Sequence, residues 1–350
     1  MMEGYTMPII ISNETLKERR RKATVEVKIP FVLNGKTEYV TKKIVNGEME
    51  TLKFNKPLGE MITYGGTNVS KDLLRKVVLD VELGREEVQP LYGVIYDTIN
   101  DPNLPEVLDA KWAMRGACVF LQTVEGSEVK FGTVQAEYGP TARIVTYATG
   151  FEYTKQMKDF NQTFQFEMLN KAMGESYNAL LNHIHLSPIL DFSYKSSNKT
   201  AYAGSAEDIT WVRLYETIKN GMKDAISKKR TPTVILASKA NELDLETALK
   251  GGYQIGGTNY PSISGIDAIV YYDGWEETVG KKSYVYNGCP TNKIYLIRPK
   301  RGFKELLKQD LRIESNGGDL TRLVERQLVG YTYRGVFAAV EENVQELTIA

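Results

Sequence analysis

The sequence predicts an α+β fold, and three stretches carry that prediction. Residues 114 to 150 alternate Val, Phe, Thr and Tyr around a tip near Glu125-Gly126-Ser127, as two extended arms do. Residues 153 to 184 place apolar side chains at spacings of three and four, which is the period of one long helix. Residues 233 to 298 alternate short apolar runs with a helical run, and a long alternating strand follows them.

In chain order, "KERRRK" at 17 to 22 reads as a solvated basic arm. From Ala23 to Phe54 an alternating pattern is cut by Asn34-Gly35 and Asn46-Gly47. Asn-Gly accepts the positive φ angles of a tight hairpin turn, so this segment predicts a three-stranded meander. Helices are expected at 70 to 83, capped by Ser70, and at 86 to 99, with Gly84 dividing them and Pro102 and Pro105 closing the pair. Each arm of the ribbon that follows, about 12 residues at roughly 3.3 Å per residue, reaches about 40 Å. A two-stranded ribbon of that length is marginal in water, so it needs a surface, on its own chain or on a neighbouring subunit.

The long helix, Tyr153 to Ile184, carries two apolar stripes. One runs Met157, Phe160, Phe164, Met168, Ala172; the other runs Phe166, Leu169, Met173, Tyr177, Leu180, Ile184. Two stripes predict a spine with material packed on both sides. Gly174 costs such a helix about 1 kcal/mol relative to Ala. A second helix is expected from Ser205, with Asp208 three residues on, turning Val212, Tyr215, Ile218, Met222 and Ile226 inward. Next come "TVILAS" as a buried strand, "NELDLETALK" as a short helix, and "IDAIVYY" and "NKIYLIRP" as further strands. The closing strand, "LTRLVERQLVGYTYRGVFAAV", stays ordered by pairing back into a sheet of the earlier core.

At 350 residues the chain can carry two packed units, and its 42% hydrophobic and 25% charged residues are those of a globular protein. Lys+Arg 44 against Asp+Glu 44 argues against a general nucleic-acid binder. Cys118 and Cys289 have no metal-ligand spacing and suggest no disulfide framework. "MMEGYTMPII" lacks the features of a signal peptide, and no apolar run approaches the roughly 20 residues a membrane span needs. The expectation is an intracellular or virion-borne protein.

The tests for chemistry fail in turn. There is no Gly-x-Ser-x-Gly elbow, "GGTNVSK" lacks the second glycine of a phosphate loop, and "GGYQIGG" lacks its lysine. Glu276-Glu277 and Glu341-Glu342 read as solvated pairs. His183 and His185 are the only histidines. In a helix they point about 200° apart and cannot share an ion, so they are expected to cap carbonyls or meet water at the helix end, where Pro188 breaks the pattern. No catalytic, cofactor-binding or metal-ligating residue is nominated.

Three passages carry a family resemblance: "YGPTARIVTYATGFEYTKQ", "ISGIDAIVYYDGWEETVGKKSYVYNGCPTNKIYLIRP" and "RQLVGYTYRGVFAAVEENVQEL". Their order resembles the Hong Kong 97 fold of major capsid proteins of tailed double-stranded DNA phages, over roughly residues 110 to 350. The resemblance implies an N-terminal arm with meander and helices (1–110), an extended loop (111–150), a peripheral domain with the spine helix (151–232), an axial domain (233–299) and a peripheral return strand (300–350). It implies pentamers and hexamers closing an icosahedral head around packaged DNA held without sequence specificity, no enzyme activity, and partners in a scaffolding protein and a portal. Assembly would take place in the host cytoplasm and the product would be the virion capsid. The N-terminal region is more elaborate than a simple arm. No long amphipathic fused-scaffold extension precedes it, so the scaffold is expected to be separate or already removed. Some relatives cross-link a loop lysine to an asparagine; Lys130 and Asn343 have those residue types, at a spacing too loose to assign. An encapsulin compartment and an α/β enzyme working through 233 to 298 are the competing readings.

Overall fold

The computed structural model describes residues 7–21, 24–33, 35–46, 48–52, 57, 58, 60, 71–108, 142–204, 209–255 and 258–349. In chain order β1 (Ile9–Ile11) and a helix (Asn13–Arg21) lead into the meander β2 (Val25–Leu33), β3 (Lys36–Val45) and β4 (Glu48–Met49). A helix (Lys71–Arg85), a single 3₁₀ turn (Tyr92–Val94), β5 (Asp97–Asn100), β6 (Val107–Leu108), β7 (Ala142–Arg143) and β8 (Val145–Thr154) follow. After a short helix (Lys155–Asp159) comes the spine helix (Thr163–Leu190), then β9 (Lys199–Thr200) and a helix (Thr210–Ser227). The next segment holds β10 (Val234–Ala237), a helix (Glu242–Lys250), β11 (Tyr253–Ile255), β12 (Thr258–Tyr260), β13 (Ala268–Tyr271), β14 (Gly274–Val279), β15 (Lys282–Asn287) and β16 (Lys293–Ile297). The last elements are β17 (Phe303–Asp319), β18 (Val324–Ala338), a helical turn (Val340–Asn343) and β19 (Val344–Thr348). The fold is α+β, as expected.

The apolar runs "VILA", "AIVY" and "IYLI" become the middle of a six-stranded sheet ordered β1-β13-β10-β16-β19-β9. Such unbroken runs suit strands covered on both faces. Val234 and Leu236, Ala268 and Val270, and Tyr295 and Ile297 face the core shared with the second half of the spine helix. Their alternates Ile235, Ala237, Ile269, Tyr271, Ile294 and Leu296 face helices Thr210–Ser227 and Glu242–Lys250. Three strands of this sheet come from outside residues 233 to 299: β1 lies parallel to β13, β19 lies antiparallel to β16, and β9 lies parallel to β19. Val344–Thr348 therefore belongs to the sheet of the insert and not to the return strand with which the sequence grouped it, because β16 offers it a full edge from Lys293 to Ile297.

The meander forms as predicted, with β2 and β3 in register from Val25↔Ile44 to Leu33↔Lys36 and Gly35 at φ +75° in the turn. The closing strand β18 pairs on one side with β17 and on the other with β8. β17 has no counterpart in the sequence reading, since "FKELLKQDLR" is rich in helix-forming residues. It is a strand because β18 and β5 flank it, and bulges between Leu307 and Arg312 interrupt its register. The expected ribbon tip, with Cys118 and Lys130, lies outside the described residues; of the ribbon only its return, β7 and β8, is described.

Five helix expectations need correction. Residues 86 to 99 are not a helix: Pro90 supplies no amide for one, the Gln89 amide donates to Asn13 Oδ1 at 2.8 Å, and Asp97–Asn100 pairs with β17. Gly84 does not divide two helices; it lies inside Lys71–Arg85 at a crossing with the spine helix. The spine does not run unbroken from Tyr153, because Asn161, at φ +50°, separates Lys155–Asp159 from Thr163–Leu190. Pro188 does not end it either. Leu186 and Ile189 are fully buried, and the Tyr96 hydroxyl donates to the His185 carbonyl at 2.6 Å, so tertiary packing carries the helix to Leu190. In the second helix Tyr215 and Ile218 are buried as expected, but Ile226 is exposed; the proposed cap at Ser205 lies outside the described residues.

Candidate assembly surfaces

The two stripes of the spine region have different fates within one chain. In the second, Phe166, Met173 and Tyr177 are buried. Phe166 stacks on Tyr153 at 4.6 Å, and Met173 and Phe166 share a core with Ile313 and Leu328 of the ribbon sheet. Beyond Met157, which is buried, the first stripe does not find the second contact face that the sequence predicts. Phe160 is 73% exposed, Phe164 72% and Met168 55%, and Leu169 beside them is also exposed.

Local chemistry fixes this presentation. The Thr154 hydroxyl accepts the Met157 amide at 3.2 Å and starts the short helix. Asn161 Oδ1 accepts the Leu58 amide at 2.8 Å, and the Asn161 carbonyl accepts the Thr163 amide, so the turn is held from both sides. With Phe166 anchored inward, residues at four-residue spacing on the opposite side must face outward. Burying four such side chains is worth about 1.5–3 kcal/mol each, a gain the isolated chain does not collect.

A second exposed apolar group sits on the β14–β15 hairpin, where Val279 and Val285 face outward. The base of this hairpin rests on the spine: His183 stacks on Tyr286 at 4.5 Å with an interplanar angle of 10°, and Trp275 stacks on the same tyrosine. Burial lowers the pKa of His183, against a weaker opposing pull from Asp191.

His185 goes elsewhere: of the two expectations for it, it bonds a carbonyl but does not meet water at the helix end. It is fully buried and stacked on Tyr92 at 3.6 Å. Its Nδ1 donates to the Leu181 carbonyl at 2.6 Å, and its Nε2 lies 3.4 Å from Glu305 Oε1. Glu305 also accepts from Thr98 at 2.6 Å and pairs with the Arg334 guanidinium, which reaches Asp310 and the Tyr177 hydroxyl as well. Burial pushes Glu305 upward, but His185, Arg334 and Thr98 outweigh it and hold the carboxyl at about 2. Asp310, half-exposed, is likewise held low against burial by Arg85 and Arg334. Apart from His185, the sequence reading nominated none of these residues. The signal was Arg334 in an otherwise apolar and aromatic alternation.

The remaining nominated positions are dispersed. Glu276 and Glu277 lie exposed on the hairpin, Glu341 pairs with Lys195 at 2.5 Å, and Asn343 is buried with its amide donating to the Ala339 carbonyl. Burial pushes the Cys289 thiol up to about 12. Among the described residues no group of His, Cys, Asp or Glu is arranged to hold a metal ion, and no helix is long and apolar enough to cross a membrane.

No family model matches the chain, and no curated protein matches it significantly. Several solved structures are similar. The virus-like particle from Pyrococcus furiosus aligns with TM-score 0.48 and 11% identity, over 79% of this chain and 99% of that one. The mature capsid of bacteriophage PhiM1 gives 0.48 and 9%, over 74% and 87%. The SrpI encapsulin from Synechococcus elongatus gives 0.43 and 11%, over 75% and 88%. Similarity at this level carries no functional argument by itself, so the geometry of the surfaces has to.

Proposed function

We propose that this chain is a structural subunit of a closed protein shell, the major capsid protein of a tailed double-stranded DNA phage with the Hong Kong 97 fold. One observation carries the reading: the described residues close four apolar cores, and Phe160, just before the spine helix that organises two of them, and Phe164 and Met168 on it are left uncovered. Exposed apolar side chains in a contiguous row mark an interaction surface. A head-to-tail contact between such a row and a different patch of the next copy generates rings, and rings of five and six close a shell.

On this reading residues 151–232 and 300–350 form the peripheral domain, with Val344–Thr348 returning into the axial sheet, and 233–299 form the axial domain. Residues 111–150 are the loop that covers a neighbour. The chain has no catalytic role. Its partners are further copies of itself, a scaffolding protein, a portal, and DNA packaged without sequence recognition, and its destination is the virion.

Electron microscopy of the chain, alone and co-expressed with a scaffold, tests this. Large closed shells that take up DNA are expected. Small shells loaded with protein would favour an encapsulin compartment, and soluble oligomers without shells would overturn the reading.

A further inference from the structure

The meander and the helix after it, residues 25 to 91, are a larger N-terminal unit than a simple arm, and the contact they make with the spine gives them a task. Asn170, Gly174, Asn178 and Asn182 follow one another at intervals of four along a single face of the spine helix, and the three asparagines are buried. Each amide is spent on residues 80 to 91. Asn170 Nδ2 donates to Asp80 Oδ2 at 3.1 Å. Asn178 Nδ2 donates to the Arg85 and Val88 carbonyls at 2.9 and 2.7 Å, and its Oδ1 accepts from Arg85 Nε. Asn182 Nδ2 donates to the Gln89 carbonyl at 2.9 Å while its Oδ1 accepts the Leu91 amide at 2.8 Å.

Between the asparagines the backbones touch. A Cβ on Gly174 would lie 1.8 Å from the Val81 carbonyl oxygen, and one on Gly84 would lie 1.9 Å from that of Lys171. At the far end Lys76 bridges Asp80 and Glu167 at 2.5 and 2.8 Å, both contacts close to the crossing. Asn178 and Asn182 donate to main-chain carbonyls at fixed positions, and Asn170 to the Asp80 carboxylate, so sliding or bending either partner breaks several buried hydrogen bonds at once, and each broken bond strands a polar group out of water.

We infer that residues 71 to 91 are a splint that fixes the curvature of the spine helix from about residue 167 to 182, so that the spine flexes only beyond it. Both flanks have the means to move. At the N-terminal side the helix is already broken at Asn161, with its positive φ, and at the C-terminal side Pro188 removes the amide that would bond the Ile184 carbonyl. The splint is a property of the single chain. Its consequence for a particle rests on the shell reading above, and the two are tested separately.

Hydrogen exchange measured on the unassembled chain tests the splint alone. Segments 71–91 and 167–182 should exchange slowly and together, and Asn178→Ala should speed both by at least tenfold in parallel. Asn182→Ala serves the same purpose if the first variant does not fold. Fast exchange in 71–91 beside a protected spine, or a variant that loosens only one segment, would overturn the inference. In assembled particles, exchange in 167–182 should match that of the unassembled chain, with differences along the spine confined to 155–166 and 185–192. A change within 167–182 would also overturn it. Failure to form shells at all would count against the proposed function and leave the first measurement decisive.

Discussion

Glu305 and its neighbours show what one buried carboxylate does here. It is 2% exposed, faces the Arg334 guanidinium and the His185 ring, and is held at about 2. A folded pKa below the unfolded value of about 4.5 means a contribution to stability that is complete above pH 4.5 and fades as pH falls toward 2. Acid unfolding followed by circular dichroism should therefore steepen across that window, and Glu305→Gln should flatten it while costing about 3–5 kcal/mol at neutral pH, since Arg334 loses a buried counter-charge. The stack on the other histidine is smaller. His183→Ala should cost about 0.5–1.5 kcal/mol and raise protease cleavage within β14–β15, with Trp275 fluorescence shifting and the rest of the chain unchanged. From sequence the two histidines looked alike; β17 and β18, which carry Glu305 and Arg334, make His185 part of a charge network, while the β14–β15 hairpin makes His183 its support.

Elements with strong periodicity were legible, and those whose state depends on a distant partner were not. The meander, the spine and the strands of the insert follow from Asn-Gly turns, three-four spacing and unbroken apolar runs. β17 and β5 did not, because their own residues do not favour strand and only pairing makes them so. The first stripe of the spine was read as a contact face, and from Phe160 to Met168 that face is uncovered in the single chain. Phe164→Ser should accordingly leave the melting temperature of the unassembled chain within a few degrees while abolishing closed shells in electron micrographs; a large fall in thermal stability would mean the stripe is covered internally. Gly174 is the reverse case. Its helix-propensity cost was visible, but its reason lies in the Val81 carbonyl across the crossing. Gly174→Ala should gain in propensity and still destabilise the chain by about 1–3 kcal/mol or more, read in denaturant, because two backbones must separate.

At the scale of the molecule, the fold class and the order of its parts were readable, while the sharing of strands between parts was not. The insert of residues 233 to 298 looked self-contained because its own strands are apolar on both faces. Nothing in "III" or in "VQELT" announces that they line up beside those strands, since short segments of that composition fit many edges. The six-stranded sheet nonetheless spans the chain, from Ile9 in β1 to Thr348 in β19. That has a consequence for synthesis on the ribosome. At about 5–20 residues per second, β1 waits for β13 for roughly ten seconds or more, and β16 keeps a bare edge until β19 emerges. The sheet is thus among the last structures to close, whereas the meander, the helix Lys71–Arg85 and the spine can meet once residue 190 has emerged, with Ile313 and Leu328 completing their shared core later. Arrested chains released at increasing lengths should gain protease resistance in two steps, the first once residue 190 has emerged and the second only after residue 348 clears the tunnel, because until then β16 lacks the partner that joins the sheet to β9.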